Sequence, residues 1–529
     1  MKYTNPIIPG LHPDPSICRV EEDYYLVTSS FEYFPGIPIF HSKDLIHWEQ
    51  LGHCISRESQ LKLRRGFPGG TGIYAPTIRY YNGIFYVITT NVTYGGEDDG
   101  NFIVWSREPS QGWSDPVFVD MPGIDPSLYF EEGHAYYTGA YNEQIIFCEI
   151  DTATGKRIGT PSYLWAGTGG NDPEGPHLYH KDGYYYLMIS EGGTEYGHMV
   201  TMARSRKIDG PYEAWDKNPV LSNRSRSTPI KATGHADLVQ AQDGSWWGVC
   251  LGIRPITYPF KHNLGRETML FPVTWEEGEF PVLATQGILE ESYAVPAFVR
   301  ERGIEQSPAR ETHWMKEIPP MRFAGCEAFR DDFSGEALDV SWNFLYQPDS
   351  ALWRLGEAHG LRGLVLRGSQ ISLSGTDTVA WLGRRQEHHH CTARTKLYFP
   401  CTRTGEEAGM TIYMNNRHHY EIALIRQDNQ NLVIFRRQIG SLISEEHKTA
   451  IPGQEITLQL TATKEWYSFS YSIDDENFLP LGQGECDYLT TEVGGRFTGN
   501  YIALYATGNG QPCQEEVVFS SFEYTADED

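Results

Sequence analysis

The sequence predicts an all-β protein: a five-bladed β-propeller followed by an antiparallel β-sandwich. Three observations carry that expectation. A short stretch recurs five times in the first half of the chain. The apolar runs between its turn signals are too short for helices. Beyond Phe333 the repeat gives way to plain period-two alternation.

The repeats read DPSICRVEEDYYLV, APTIRYYNGIFYVI, DPSLYFEEGHAYYT, EGPHLYHKDGYYYLM and HADLVQAQDGSWWGVC, opening at Asp14, Ala75, Asp125, Glu174 and His235. Each has a polar or small opening, an aliphatic residue, a turn signal and a pair of aromatics. Those pairs are Tyr24/Tyr25, Phe85/Tyr86, Tyr136/Tyr137, Tyr185/Tyr186 and Trp246/Trp247. Strand–turn–strand units recurring about every 50 to 60 residues are the signature of a propeller, one unit per blade. Turn-rich links such as Phe34-Pro35-Gly36 and Gly69-Gly70-Thr71-Gly72 separate them, and runs such as Leu26-Val27 suit short strands. Prolines 308, 319 and 320 mark a connector, giving a propeller over 1–305, a linker over 306–325 and a sandwich over 326–529. In the sandwich, Ile456, Leu458 and Leu460 alternate with polar residues, as do Tyr467, Phe469, Tyr471 and Ile473.

Bulk properties narrow the function. A chain of 529 residues, 40% of them hydrophobic, is globular and needs more than one domain. A net charge of −26 argues against nucleic acid, whose phosphates require a basic surface. The nine cysteines show no CxxC and read as reduced thiols. No stretch is apolar enough for a membrane span or a signal segment, so the expectation is a cytoplasmic protein without membrane partners.

In a propeller the opening residues of all blades converge near the central channel. Three of the five openers are carboxylates: Asp14, Asp125 and Glu174. Turn chemistry explains a single Asp-Pro, and Asp115-Pro116, which opens no repeat, is read that way. Three acids converging on one channel cost energy and point to chemistry. Glycoside hydrolysis needs such a set: a protonated acid for the leaving oxygen and an ionised partner for water or direct attack. Glu174, with the longer reach and one residue ahead of strict register, suits the acid. Asp14 suits the base, and Asp125 can raise the acid's pKa by like-charge repulsion.

These residues lie in motifs that resemble glycoside hydrolase family 43, the group of β-xylosidases, α-L-arabinofuranosidases and arabinanases. The matching stretches are NPIIPGLHPDPS around Asp14, TGIYAPTIRYYNG, GIDPSL around Asp125, EGPHLY around Glu174, SEGGTEYGH, TGHADLV and LGRET. The second half, from RDDFSG through VGGRFTGNYIALYATG, resembles the sandwich of the family's two-domain xylosidases. The resemblance implies inversion, with Asp14 as base, Glu174 as acid and Asp125 as modulator. Inversion calls for working carboxyls about 6.5–9.5 Å apart.

Further residues follow by position. Arg266 in LGRET would grip sugar hydroxyls or a carboxylate; the alternative is an ion pair with Glu267. Phe31 and Tyr74 would wall the terminal sugar, with Tyr74 standing where many of the family's xylosidases carry Trp. Thr194 would bond the sugar. The resemblance implies that Phe497, in GGRFTG, closes the pocket from the sandwich. It also implies a calcium ion near His235, held largely through water, although the chemistry itself requires no cofactor. Consecutive His388, His389 and His390 alternate in direction on a strand and cannot chelate together. The expected substrate is a xylo-oligosaccharide cut at its non-reducing end, with an arabinoxylo-oligosaccharide as the alternative. A non-catalytic carbohydrate-binding propeller is the rival of another class, set against by three filled carboxylate positions. The resemblance further implies a homo-oligomer, dimer or tetramer.

Overall fold

The computed structural model describes residues 1–63, 66, 69–96, 98–301, 325, 327–495 and 497–527. The connector expected over 306–325 lies outside the described residues except for Gly325. Almost all regular structure is strand, as the short apolar runs dictate.

The first half folds into five antiparallel sheets of four or five strands. Their opening strands are Ser16–Val20, Thr77–Tyr81, Ile124–Glu131, Glu174–Lys181 and Lys231–Gln240. Each opening strand hairpins onto one that carries the paired aromatics: Asp23–Val27, Ile84–Val92, His134–Tyr141, Tyr184–Glu191 and Trp246–Ile253. Period two sends the members of each pair to opposite faces; Phe85, Tyr137, Tyr186 and Trp247 are the buried members of theirs, while Tyr24 and Tyr25 are both buried. The opening strands neighbour one another in sequence order, and the fifth returns to the first. The N-terminus fastens that closure. Lys2–Thr4 pairs with Ser292–Ala294, and Asn5 Nδ2 and the Tyr3 hydroxyl both donate to the Leu270 carbonyl in the fifth sheet.

The second half is a β-sandwich of an eight-stranded and a six-stranded antiparallel sheet. The alternating side chains of Glu455–Ala462 and Trp466–Ser472 fill its core, as the pattern predicts. Ile473 does not: the strand stops at Ser472 and Ile473 is exposed in the turn held by Asp474.

The two halves share one apolar core, with Ile37, Ile55 and Ile73 packed in the same cluster as Leu364, Leu382 and Leu504. Tyr33–Phe34 pairs with Phe344–Leu345 across the junction, and the Tyr33 and Tyr501 rings stack at 4.0 Å. The sandwich is therefore fixed against the five-sheet half, which lets it present residues to a site there. All eight described cysteines are buried and free. Among the described residues no helix is long and apolar enough to cross a membrane.

Candidate active site

Asp14, Asp125, Glu174 and His235 line one cavity of about 740 Å³. The backbone explains how. Asp14, Asp125 and His235 have φ of 55°, 52° and 49°, and Gly175, which follows Glu174, has 56°. A left-handed turn at a non-glycine residue costs about 1–2 kcal/mol, so the three openers Asp14, Asp125 and His235 mark a site where strain is retained. The strand registers shift at the same points, between Ile124 and Ser127, between Glu174 and His177, and twice between Lys231 and Asp237. A bulge at a strand's start re-aims its first side chain. It also accounts for the one-residue offset of Glu174, because glycine takes the kinked position and the acid stands just ahead of it.

The three carboxylates have opposed electrostatic settings. Asp14 is buried and accepts from Arg266 NH1 at 2.7 Å and the Ser29 hydroxyl at 2.5 Å. Burial alone would raise its pKa, but Arg266, then His235, the Ser29 hydroxyl and His198 outweigh it and hold the group below its ordinary value. Asp125 is pushed well above the carboxylate range by burial first, then by Glu174 and Asp14. One oxygen each of Asp125 and Glu174 and a nitrogen of His235 lie within 4.8 Å of one another. Buried beside a second carboxyl, Asp125 is therefore the group held toward its protonated form.

Arg266 organises the rest. The same NH1 donates to the Thr194 hydroxyl at 3.1 Å, and the guanidinium carbon stands 5.7 Å from the Phe31 ring centre and 5.6 Å from that of Phe497. The alternative pairing with Glu267 does not form, since Glu267 takes a two-pronged bond from Arg254, both arms 2.7 Å. Phe31, Tyr74 and Phe497 make a three-ring wall with centroids 5.5–6.0 Å apart. Tyr74 is tethered by its hydroxyl to the Gly70 carbonyl at 2.9 Å. Every residue the sequence nominated thus meets at one cavity. Asp115 does not, and pairs with Arg57 on the surface.

Sequence reasoning missed several participants. His198 is fully buried with Nε2 3.4 Å from Glu174 Oε1, and neither ring nitrogen has a hydrogen-bond partner among the described residues. Its ring occupies the space over Gly234, where a Cβ would come within 2.3–2.5 Å of it. Glu191 accepts from the Thr168 and Gly170 amides, both at 2.8 Å, and from the Thr201 hydroxyl at 2.6 Å, pinning the loop that leads to Glu174. His198 and Glu191 both sit inside SEGGTEYGH, but their partners are remote in sequence and nothing local singles them out. At the mouth, the Glu492 carboxylate of the sandwich meets His262 Nδ1 at 2.7 Å.

The donor set decides whether calcium suits His235. Calcium takes six to eight oxygen ligands, whereas this cluster brings one nitrogen and two carboxylates together. The next acid along the strand, Asp237, is already matched by Arg79 at 2.8 and 3.3 Å, by the Tyr179 hydroxyl at 2.8 Å and by the Ser16 hydroxyl at 2.7 Å. A guanidinium there supplies the positive charge a metal would bring. Protein atoms would fill only part of a calcium shell here, and an ion at His235 would take the rest from water. The histidine run is split: His389 is buried, and His388 turns to the Tyr524 hydroxyl at 3.0 Å.

Comparison with known proteins places this geometry. Residues 3–281 match the sequence profile of glycosyl hydrolases family 43. The chain belongs to glycosyl hydrolase family 43. Residues 330–525 match the β-xylosidase C-terminal concanavalin A-like domain found with it. The family 43 chain is 39% identical over 526 residues to a non-reducing end α-L-arabinofuranosidase of Bacteroides ovatus, covering 99% of this chain and 94% of that one. It is 35% identical to a xylosidase/arabinosidase of Butyrivibrio fibrisolvens, with 98% of each chain covered. A solved family 43 structure from the Bacteroides ovatus xyloglucan locus superposes over 100% of both chains with a TM-score of 0.90 at 38% identity. The protein is a glycoside hydrolase, and its substrate is a carbohydrate.

Proposed function

We propose that this hydrolase is exo-acting and inverting, and that it releases β-D-xylose from the non-reducing ends of xylo-oligosaccharides. The observation that carries the reading is the opposed setting of buried carboxyls in one cavity: Asp14 is held ionised by Arg266, while Asp125, beside Glu174, is pushed well above the carboxylate range. In the proposed step Asp14 takes a proton from water as the water oxygen bonds to the anomeric carbon. The bond to the leaving oxygen breaks, and Glu174 gives that oxygen its proton. Asp14 ends protonated and Glu174 ionised, and exchange with solvent restores both. Asp125 and His198, both close to Glu174, orient it and keep its proton available. No metal takes part in this reading, since Arg79 already balances the buried acid.

The cyclic neighbour order of the five opening strands supports a five-bladed propeller with the site at its central end. Phe497 closes the wall from the sandwich, which favours a pocket for one terminal sugar over an open groove. An arabinofuranosidase is the second reading, favoured by Tyr74 and by the activity named for the Bacteroides ovatus relative. We assign the working location as the cytoplasm, where short oligosaccharides arrive by import. Assembly as a dimer or tetramer belongs to the same reading, and sedimentation velocity tests it. Asp14→Ala and Glu174→Ala test the function: both are expected to fold and to lose turnover of xylobiose and of an arabinofuranosyl xylo-oligosaccharide. Near-normal rates on both substrates in either variant would remove the mechanism.

A further inference from the structure

The hairpin around Tyr258 has no part in the chemistry above, yet it exposes large aromatic surface. The Ile256 amide donates to the Lys261 carbonyl at 2.8 Å and Thr257 bridges Lys261, leaving Tyr258, Pro259 and Phe260 as the tip. Tyr258 is 84% exposed and Phe260 39%. Phe260 packs against Tyr196 at 5.5 Å on one side and Tyr258 at 5.9 Å on the other. Tyr196 itself lines the cavity mouth. Three rings therefore run outward from the active site in steps of about one sugar ring.

The base of the row is held from the sandwich. Lys261 Nζ bonds Asp487 at 2.8 Å and His262 bonds Glu492 at 2.7 Å, both carboxylates belonging to the sandwich. The Tyr196 hydroxyl lies 2.6 Å from the Phe260 carbonyl and 2.9 Å from Glu492. Exposed aromatics fixed in this way hold a preformed surface at little entropic cost on binding.

The chemistry gives that surface a direction. The leaving oxygen must face Glu174, so the departing part of the substrate emerges beside Glu174 and its mouth neighbours Asp172, Glu195 and Tyr196. An exo-acting enzyme leaves the whole remaining chain on that side. With Glu143 and Glu492 the rim's carboxylates outnumber the Lys231 ammonium, which stands 5.0 Å from the Phe260 ring centre, so the rim favours an uncharged sugar over a uronate.

We propose that Tyr196, Phe260 and Tyr258 form a platform for the reducing-end rings of a neutral oligosaccharide longer than a disaccharide, past the sugar that carries the cleaved oxygen. The assignment rests on the glycosidase reading above. Stacking on such rings contributes about 0.5–1.5 kcal/mol each, so a chain that reaches Tyr258 gains about 3- to 10-fold in affinity. Calorimetric titration of Glu174→Gln with xylotetraose, which ends at Phe260, and with xylopentaose, which reaches Tyr258, reads this without turnover. The pentaose is expected to bind about 3- to 10-fold more tightly, with the margin lost in Glu174→Gln/Tyr258→Ala and kept in Glu174→Gln/Tyr258→Phe. Equal affinities, no binding of the pentaose, or a margin untouched by Tyr258→Ala would overturn the platform. Turnover of xylobiose by the wild type tests the glycosidase reading separately.

Discussion

Replacing Arg266 with Met tests how the base is kept ionised. The substitution keeps much of the side-chain volume but removes the donor 2.7 Å from Asp14 and 3.1 Å from Thr194. Breaking one half of a buried ion pair costs about 3–5 kcal/mol, and both partners are at least 90% buried here. Stability should fall by about that amount at pH 8. In the wild type Asp14 is depressed below its ordinary value of 3.8, so its contribution is present above that pH and is lost as pH falls through the folded value. The variant lacks the chief lowering influence, so burial raises the carboxyl and protonation relieves it. The stability deficit should therefore shrink between pH 8 and pH 4. The acid limb of kcat/KM reports the base of the free enzyme and should move to higher pH. At the optimum, loss of a charge-assisted bond of about 1.5–3 kcal/mol lowers kcat/KM by one to two powers of ten. Thermal unfolding at both pH values, with the pH profile on xylobiose, reads all three effects. An unmoved acid limb and a deficit independent of pH would refute the reasoning.

Three other outcomes follow from the same geometry. Asp125→Asn removes a buried acid that burial, Glu174 and Asp14 all push upward. The variant should melt higher than wild type at pH 8, lose that advantage as pH falls toward 4, and turn over more slowly. Phe497→Ala opens the three-ring wall and should raise KM on xylobiose about 3- to 10-fold, the worth of an aromatic contact. Gly234→Ala drives a methyl into the His198 ring and should cost about 1–3 kcal/mol in urea unfolding. Adding His198→Ala should recover part of that stability without recovering activity.

The opening residues of the repeats were legible because each stands at the same place in a recurring strand–turn–strand unit. Asp14, Asp125, Glu174 and His235 stand out at a fixed period although about 220 residues separate the first from the last. Their left-handed backbone was not legible, because Asp and His seldom take it and no glycine announces it except Gly175. His198 and Glu191 stayed hidden for another reason: their meaning lies in contacts with Glu174, Gly234 and the 168–170 loop, which only folding assembles. Alternation located the sandwich strands but overran at Ile473, since period two cannot show where a turn bonded to Asp474 takes over. The partner of Arg266 was open between sugar hydroxyls, an unnamed carboxylate and Glu267. The fold decides it by giving Glu267 to Arg254.

Proton NMR of the first sugar released from xylobiose tests the central claim most directly. With Asp14 activating water opposite Glu174, the product appears first as α-xylose and then mutarotates. First appearance of β-xylose would mean retention, and would contradict the roles assigned to both residues.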